Sequence, residues 1–136
     1  MLSKPTTSDT AFCKISYDKT LNAVLCTWKK FCQGDDYRNP LRHGLKLLKE
    51  TGCKNWITDT ANGFESTPED TQWLLETFIP ETLSTHCKNL FFIIAPDSPL
   101  QGEISAQAEA LKELFNVRLC KDLDTVRSIL TADKLQ

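Results

Sequence analysis

Apolar and polar residues alternate along this chain with two periods that take turns. In "FCKISY", Phe12 to Tyr17, the residues Cys13, Ile15 and Tyr17 share one parity, the mark of a strand covered on one face. A turn at "DKTLN" leads to "AVLCTW", Ala23 to Trp28, which is apolar at nearly every position and reads as an inner strand. The two strands are expected to pair as a hairpin. The period then changes to that of a helix. In "YRNPLRHGLKLLKETG", Leu41, Leu45 and Leu48 recur at helical spacing, lysines occupy the last turn, and Gly52 supplies the stop. Pro40 is placed in the first turn, where a missing N–H costs little.

The alternation continues to the end of the chain. "NWITD", Asn55 to Asp59, is a strand followed by a polar loop. Thr67 then gives a helix N-cap, Pro68 the first helical position, and Asp70 a capping box with a shortened acid. This helix pairs Leu74 with Phe78 and Leu75 with Ile79 before Pro80 kinks or breaks it, and a short helix follows through Leu83. "LFFIIA", Leu90 to Ala95, is apolar on both faces and reads as a central strand; a "PDSP" turn follows. Ile104, Ala108, Leu111 and Phe115 make one helical stripe, "VRLC" is the last strand, and "LDTVRSIL" closes as a helix buried through Leu123, Val126 and Leu130. The order is ββαβαβαβα: a single α/β domain over 11–136 with one mixed, mostly parallel sheet flanked by helices, behind a loose N-terminal tail, 1–10.

Composition narrows the class. Over 136 residues, 40% are apolar and 25% charged, and 16 Lys plus Arg against 18 Asp plus Glu leave a net charge of -2. That balance is unlike a disordered or nucleic-acid-binding chain. No apolar run approaches the ~18 residues that cross a bilayer, and "MLSKPTTSDT" lacks the apolar core of a signal peptide. A cytoplasmic protein without membrane insertion is expected. The six cysteines, Cys13, Cys26, Cys32, Cys53, Cys87 and Cys120, include no CxxC pair, and His43 and His86 have no helical HxxxH spacing. The expectation is reduced thiols, no metal and no cofactor. His86 beside Cys87 is a nucleophile pair only by adjacency, since neighbouring side chains diverge.

"VLCTW" in the second strand, "WITD" in the third and "EDTQWLLETFIP" in the next helix resemble small stand-alone proteins of the STAS-like type. Together with the order of elements, the resemblance covers roughly Phe12 to Leu130. It implies the fold of anti-sigma-factor antagonists, and a regulatory or protein-interaction role in bacterial signalling. In that family the loop after the third strand carries a phosphorylatable Ser or Thr at a helix start, usually as Asp-Ser-Ser-Gly or Asp-Ser-Thr-Gly. "ESTP" takes that place here, with Ser66 and Thr67 as the matching hydroxyls, Glu65 for the Asp and Pro68 for the Gly.

Three readings of the stretch from Asp59 to Asp70 follow. As a joint, Thr67 caps the helix and is replaceable by Asp at little cost, while Asn62 and Gly63 make a turn. As a switch, Ser66 or Thr67 accepts phosphate beside the helix N–H groups, against the repulsion of Asp59, Glu65, Glu69 and Asp70. As a site at the strand ends, Asp59, Thr60, Asn62, Phe64 and Trp73 would frame a small apolar or lipid-like ligand, with Trp28, Trp56 and Phe78 as further walls or plain core. The leading expectation is a non-catalytic interaction module with a protein partner or second copy; an apolar-ligand binder comes second and a low-activity enzyme third. Arg38, Arg42, Lys46 and Lys49 form a basic stripe, and Glu69, Asp70, Glu76 and Glu81 make the following helix acidic, so charge offers a route to association.

Overall fold

The computed structural model of the chain describes residues 6–61, 67–95, 97 and 101–134. Six strands form one sheet in sequential order: β1 (Ser8–Asp9), β2 (Cys13–Asp18), β3 (Ala23–Trp28), β4 (Asn55–Asp59), β5 (Asn89–Ile93) and β6 (Asn116–Cys120). β2 is antiparallel to both its neighbours, and β3 through β6 run parallel. The expected mixed α/β sheet, with its opening hairpin, is therefore present. Asp18 makes the hairpin turn by accepting the Leu21 N–H, and Asn22 takes the left-handed conformation that its short polar side chain tolerates. Regular structure begins earlier than position 11, because Ser8 and Asp9 of the expected tail pair with Ile15 and Lys14.

Strand alternation divides the core in two. Cys13, Ile15, Val24, Cys26, Trp28, Trp56, Leu90 and Phe92 face α1 (Asp35–Thr51), the helical stretch 68–83 and α4 (Gln101–Leu111). Ala23, Ile57, Phe91, Ile93 and Cys120 face the opposite way and meet α5 (Leu123–Lys134) through Val126 and Leu130. One sheet face thus carries three helical segments and the other carries one.

Three helix details correct the sequence reading. α1 starts at Asp35, behind an N-cap at Gly34, so Pro40 sits inside the helix and not in its first turn. Two acids in the first turn, Asp35 and Asp36, favour this earlier start by complementing the helix dipole, and Tyr37 and Pro40 are buried as part of the packed face. The short helix expected through Leu83 is present with Pro80 in its first turn, but no break in the helical backbone precedes it. α2 (Pro68–Trp73) continues through a π-turn, Leu74–Phe78, into α3 (Ile79–Leu83), with the Ile79 N–H donating to the Leu74 carbonyl five residues back. The wider turn re-phases the buried stripe: Leu74, Phe78 and Ile79 are buried while Leu75 stays exposed. Finally, α4 ends at Leu111, where its last carbonyl accepts from both Leu114 N and Phe115 N; Phe115 is buried from a turn and not from the helix. The "PDSP" turn lies mostly outside the described residues.

Candidate functional site

The polar stretch after β4 begins at the carboxyl end of the parallel strands, where open α/β sheets place their ligand crevice. Thr60 is buried there and donates its hydroxyl and its N–H to the Ile93 carbonyl, tying the loop to β5. Asp59 accepts the Ala61 N–H and so closes an Asx-type turn. Asn62, Phe64 and Ser66 lie outside the described residues.

Thr67 is the N-cap of α2, with its oxygen accepting the Asp70 N–H at 3.1 Å. The same hydroxyl donates its proton to Asp70 Oδ2 at 3.0 Å. Asp70 does more than shorten a capping box. Its carboxylate is 1% exposed and also accepts from Gly34 N at 2.9 Å and Arg38 Nε at 2.8 Å. Gly34 turns with φ of 61°, a conformation suited to glycine, which aims its N–H across the gap between helices. One carboxylate therefore holds the starts of α1 and α2 together. Burial raises the Asp70 pKa, but the bonds from Gly34, Arg38 and Thr67 outweigh it and hold the carboxyl below its ordinary value.

Trp73 stands next to this clasp. The guanidinium carbons of Arg38 and Arg42 lie 5.4 and 5.3 Å from its ring centroid, within the range of cation–π attraction. Arg42 also bonds Asn39 Oδ1 at 2.7 Å. The upper half of the basic stripe is thus engaged inside the chain with the acidic helix, and Lys46 and Lys49 form its remaining part.

Trp73 continues a row of rings: Trp28 stacks on Tyr37 at 5.2 Å, Tyr37 meets Trp73 edge-on at 6.5 Å, and Phe78 contacts both Trp73, at 6.0 Å, and Trp56, at 5.5 Å. Trp28, Tyr37, Trp56 and Phe78 from this row line a cavity of about 50 Å³, closed further by Leu74, Ile79, Leu90, Phe92 and Leu111. The cavity sits between the sheet and the helices under the π-turn. Neither Asp59, Thr60 nor Trp73 lines it. Two of its polar residues are bonded inside the fold: Thr58 accepts from Trp56 Nε1 at 2.9 Å, and Thr82 donates to the Phe78 carbonyl at 2.8 Å. Gln107 adds a third. The space exceeds the ~10–15 Å³ that one water needs and is well under the ~150 Å³ of a cavity that admits benzene.

All six cysteines are buried and unbridged. Burial pushes the Cys87 thiol up to about 12 and Cys32 up to about 11, which suits packing and opposes nucleophilic use. Cys13 and Cys26 approach to 3.7 Å between sulfurs.

Sequence reading missed two groups. One is the pairing of Gly34 and Arg38 with Asp70; the other is an amide ladder at the amino ends of the parallel strands. Asn116 donates to Asn89 Oδ1 at 3.0 Å, Asn89 to Asn55 Oδ1 at 2.8 Å, and Asn55 to the Asn22 carbonyl at 3.1 Å. Its only signal in the sequence is an asparagine at the first position of three successive strands. Comparison with family models, with curated proteins and with solved structures finds no significant match for the chain.

Proposed function

We propose that the chain is a non-catalytic protein-interaction or regulatory module of the STAS-like type, acting in bacterial cytoplasmic signalling, and that it works by surface contact at the start of α2. The sequential sheet with three helical segments on one face supports the STAS-like reading. The observation that carries the functional part is the Asp70 clasp. It uses the Thr67 hydroxyl in both directions and the carboxylate on both oxygens, which supports reading these groups as a fixed platform. From that platform Glu69, Gln72, Leu75 and Glu76 point outward, and Gln72 bonds Glu76 along the helix at 3.1 Å. A partner with a basic surface and one apolar contact fits this face.

Chemical cross-linking in the native cell tests the reading. The chain should give a discrete cross-linked partner that is lost with Leu75→Arg, a change at an exposed position that leaves the thermal unfolding unaltered. The same cross-linked product with a partner other than a second copy, from both chains, would remove the α2 face from the account. The second reading, a small apolar guest under the π-turn, draws on the aromatic lining of the cavity, although a guest the size of benzene would need that cavity of about 50 Å³ to widen. Mass spectrometry under non-denaturing conditions separates the two, since a guest adds mass that disappears on denaturation.

A further inference from the structure

We infer that the free edge of β6 is a self-pairing surface, and that two copies of the chain join through it into one continuous sheet centred on Leu119. This inference stands independently of the role proposed for α2. In a parallel ladder a strand bonds one neighbour through every second residue. Asn116 N donates to the Lys88 carbonyl and the Cys120 carbonyl accepts from Ile94 N, so Asn116, Arg118 and Cys120 spend their backbone groups on β5. The N–H and C=O of Val117 and Leu119 therefore point away from the sheet, and no strand lies beyond β6 among the described residues. The opposite edge is blunted, because β1 has two residues only. Edge strands with unpaired ladder groups are templates for a further strand unless they are shortened or covered. β6 is five residues long, and its Leu119 is 47% exposed on the helical face of the sheet.

A second copy fits this edge better than an unrelated strand because the match is reciprocal. Outward residues must pair with outward residues, which allows three antiparallel two-fold arrangements along β6. Pairing about Arg118 sets two guanidiniums directly opposite each other, which is unfavourable. Pairing about Val117 sets Leu119 against Phe115, which is already buried in a turn before the strand. Pairing about Leu119 lets each Leu119 exchange both backbone bonds with its copy and covers the two exposed side chains with one another. On the other face, Arg118 then stands opposite Cys120 of the second copy, beyond which the chain leaves the strand at Asp122, whose Oδ1 caps α5 by accepting from Thr125. Two-fold closure gives both halves the same contacts.

Sedimentation velocity of the purified chain should find twice the mass of the 15.4 kDa protomer. Leu119→Glu, and separately Val117→Pro, should return it to the protomer mass with an unchanged circular dichroism spectrum. The register has its own readout. Leu119→Cys should become a covalent dimer under mild oxidation, because opposed residues of a bonded antiparallel pair lie ~5.5 Å apart at Cα. Val117→Cys, facing Lys121 of the second copy, should not. The six native thiols are buried and do not compete. A wild-type chain that stays monomeric up to its solubility limit overturns the inference, and so does a dimer that survives Leu119→Glu.

Discussion

Thr67 and Asp70 make each other's positions necessary. The Thr67 oxygen satisfies one of the first free N–H groups of α2, so Thr67→Ala should cost about 1 kcal/mol in urea unfolding, while Thr67→Ser, which keeps the hydroxyl, should cost little. The structure reverses one expectation from the sequence. Because the Thr67 hydroxyl also donates to Asp70 Oδ2, an aspartate at position 67 would bring a second carboxylate against a buried one; Thr67→Asp should therefore be at least as damaging as Thr67→Ala. Removing the hub itself is worse. Asp70→Ala leaves the Gly34 N–H and Arg38 without their acceptor, and a loss of roughly 3 kcal/mol is expected. The same carboxylate sets an acid limit on stability. Its pKa is lower in the fold than in the unfolded chain, so its contribution is complete above the ordinary carboxyl value near ~4 and is lost as pH falls through the lower folded value. Urea midpoints followed from neutral pH into acid should fall less steeply for Asp70→Asn than for the wild type.

Helix α1 is shaped by one close approach. A Cβ built at Gly44 would lie 2.2 Å from Trp56 Cη2, and the indole is held in place by its bond to Thr58 and by packing on Phe78. Gly44→Ala should thus cost about 1–3 kcal/mol by forcing the ring toward the cavity, measured against an Ala substitution at exposed Lys46. What the sequence disclosed and what it hid differ in kind. Strand and helix order was legible because periods of 2 and 3.6 are local, and the cap at Thr67 was legible because Thr, Pro and Asp stand within four positions. The inner strands β3 and β5 were likewise written in near-continuous apolar runs. Pro40 was misplaced because α1 starts a turn before it, and the π-turn ahead of Pro80 went unseen because rules for proline describe what it costs and not how a helix accommodates it. The clasp was not legible, since Gly34 and Asp70 are 36 positions apart and meet only when α1 and α2 are packed. The amide ladder needed the register of three strands before Asn55, Asn89 and Asn116 could be seen as neighbours.

Across the molecule, charge and apolar surface are distributed in a way that separates structure from contact. Arg38 and Arg42 turn inward onto Asp70 and Trp73, so half of a stripe that looked available for association instead joins two helices of the same chain. The exposed acids of α2 and the open edge of β6 remain as the surfaces through which the proposed module would work. That account places regulation in what binds, and makes the Thr67 hydroxyl a structural joint. A phosphate on Thr67 would displace its proton from Asp70 and set close to two negative charges beside a buried carboxylate. Position-resolved phosphopeptide mapping of the chain isolated from its native cell is the most direct test. The account expects Thr67 to be unmodified in growing and in stressed cells alike, whereas a substantial phosphorylated fraction at Thr67 would contradict the joint and make the start of α2 a switch.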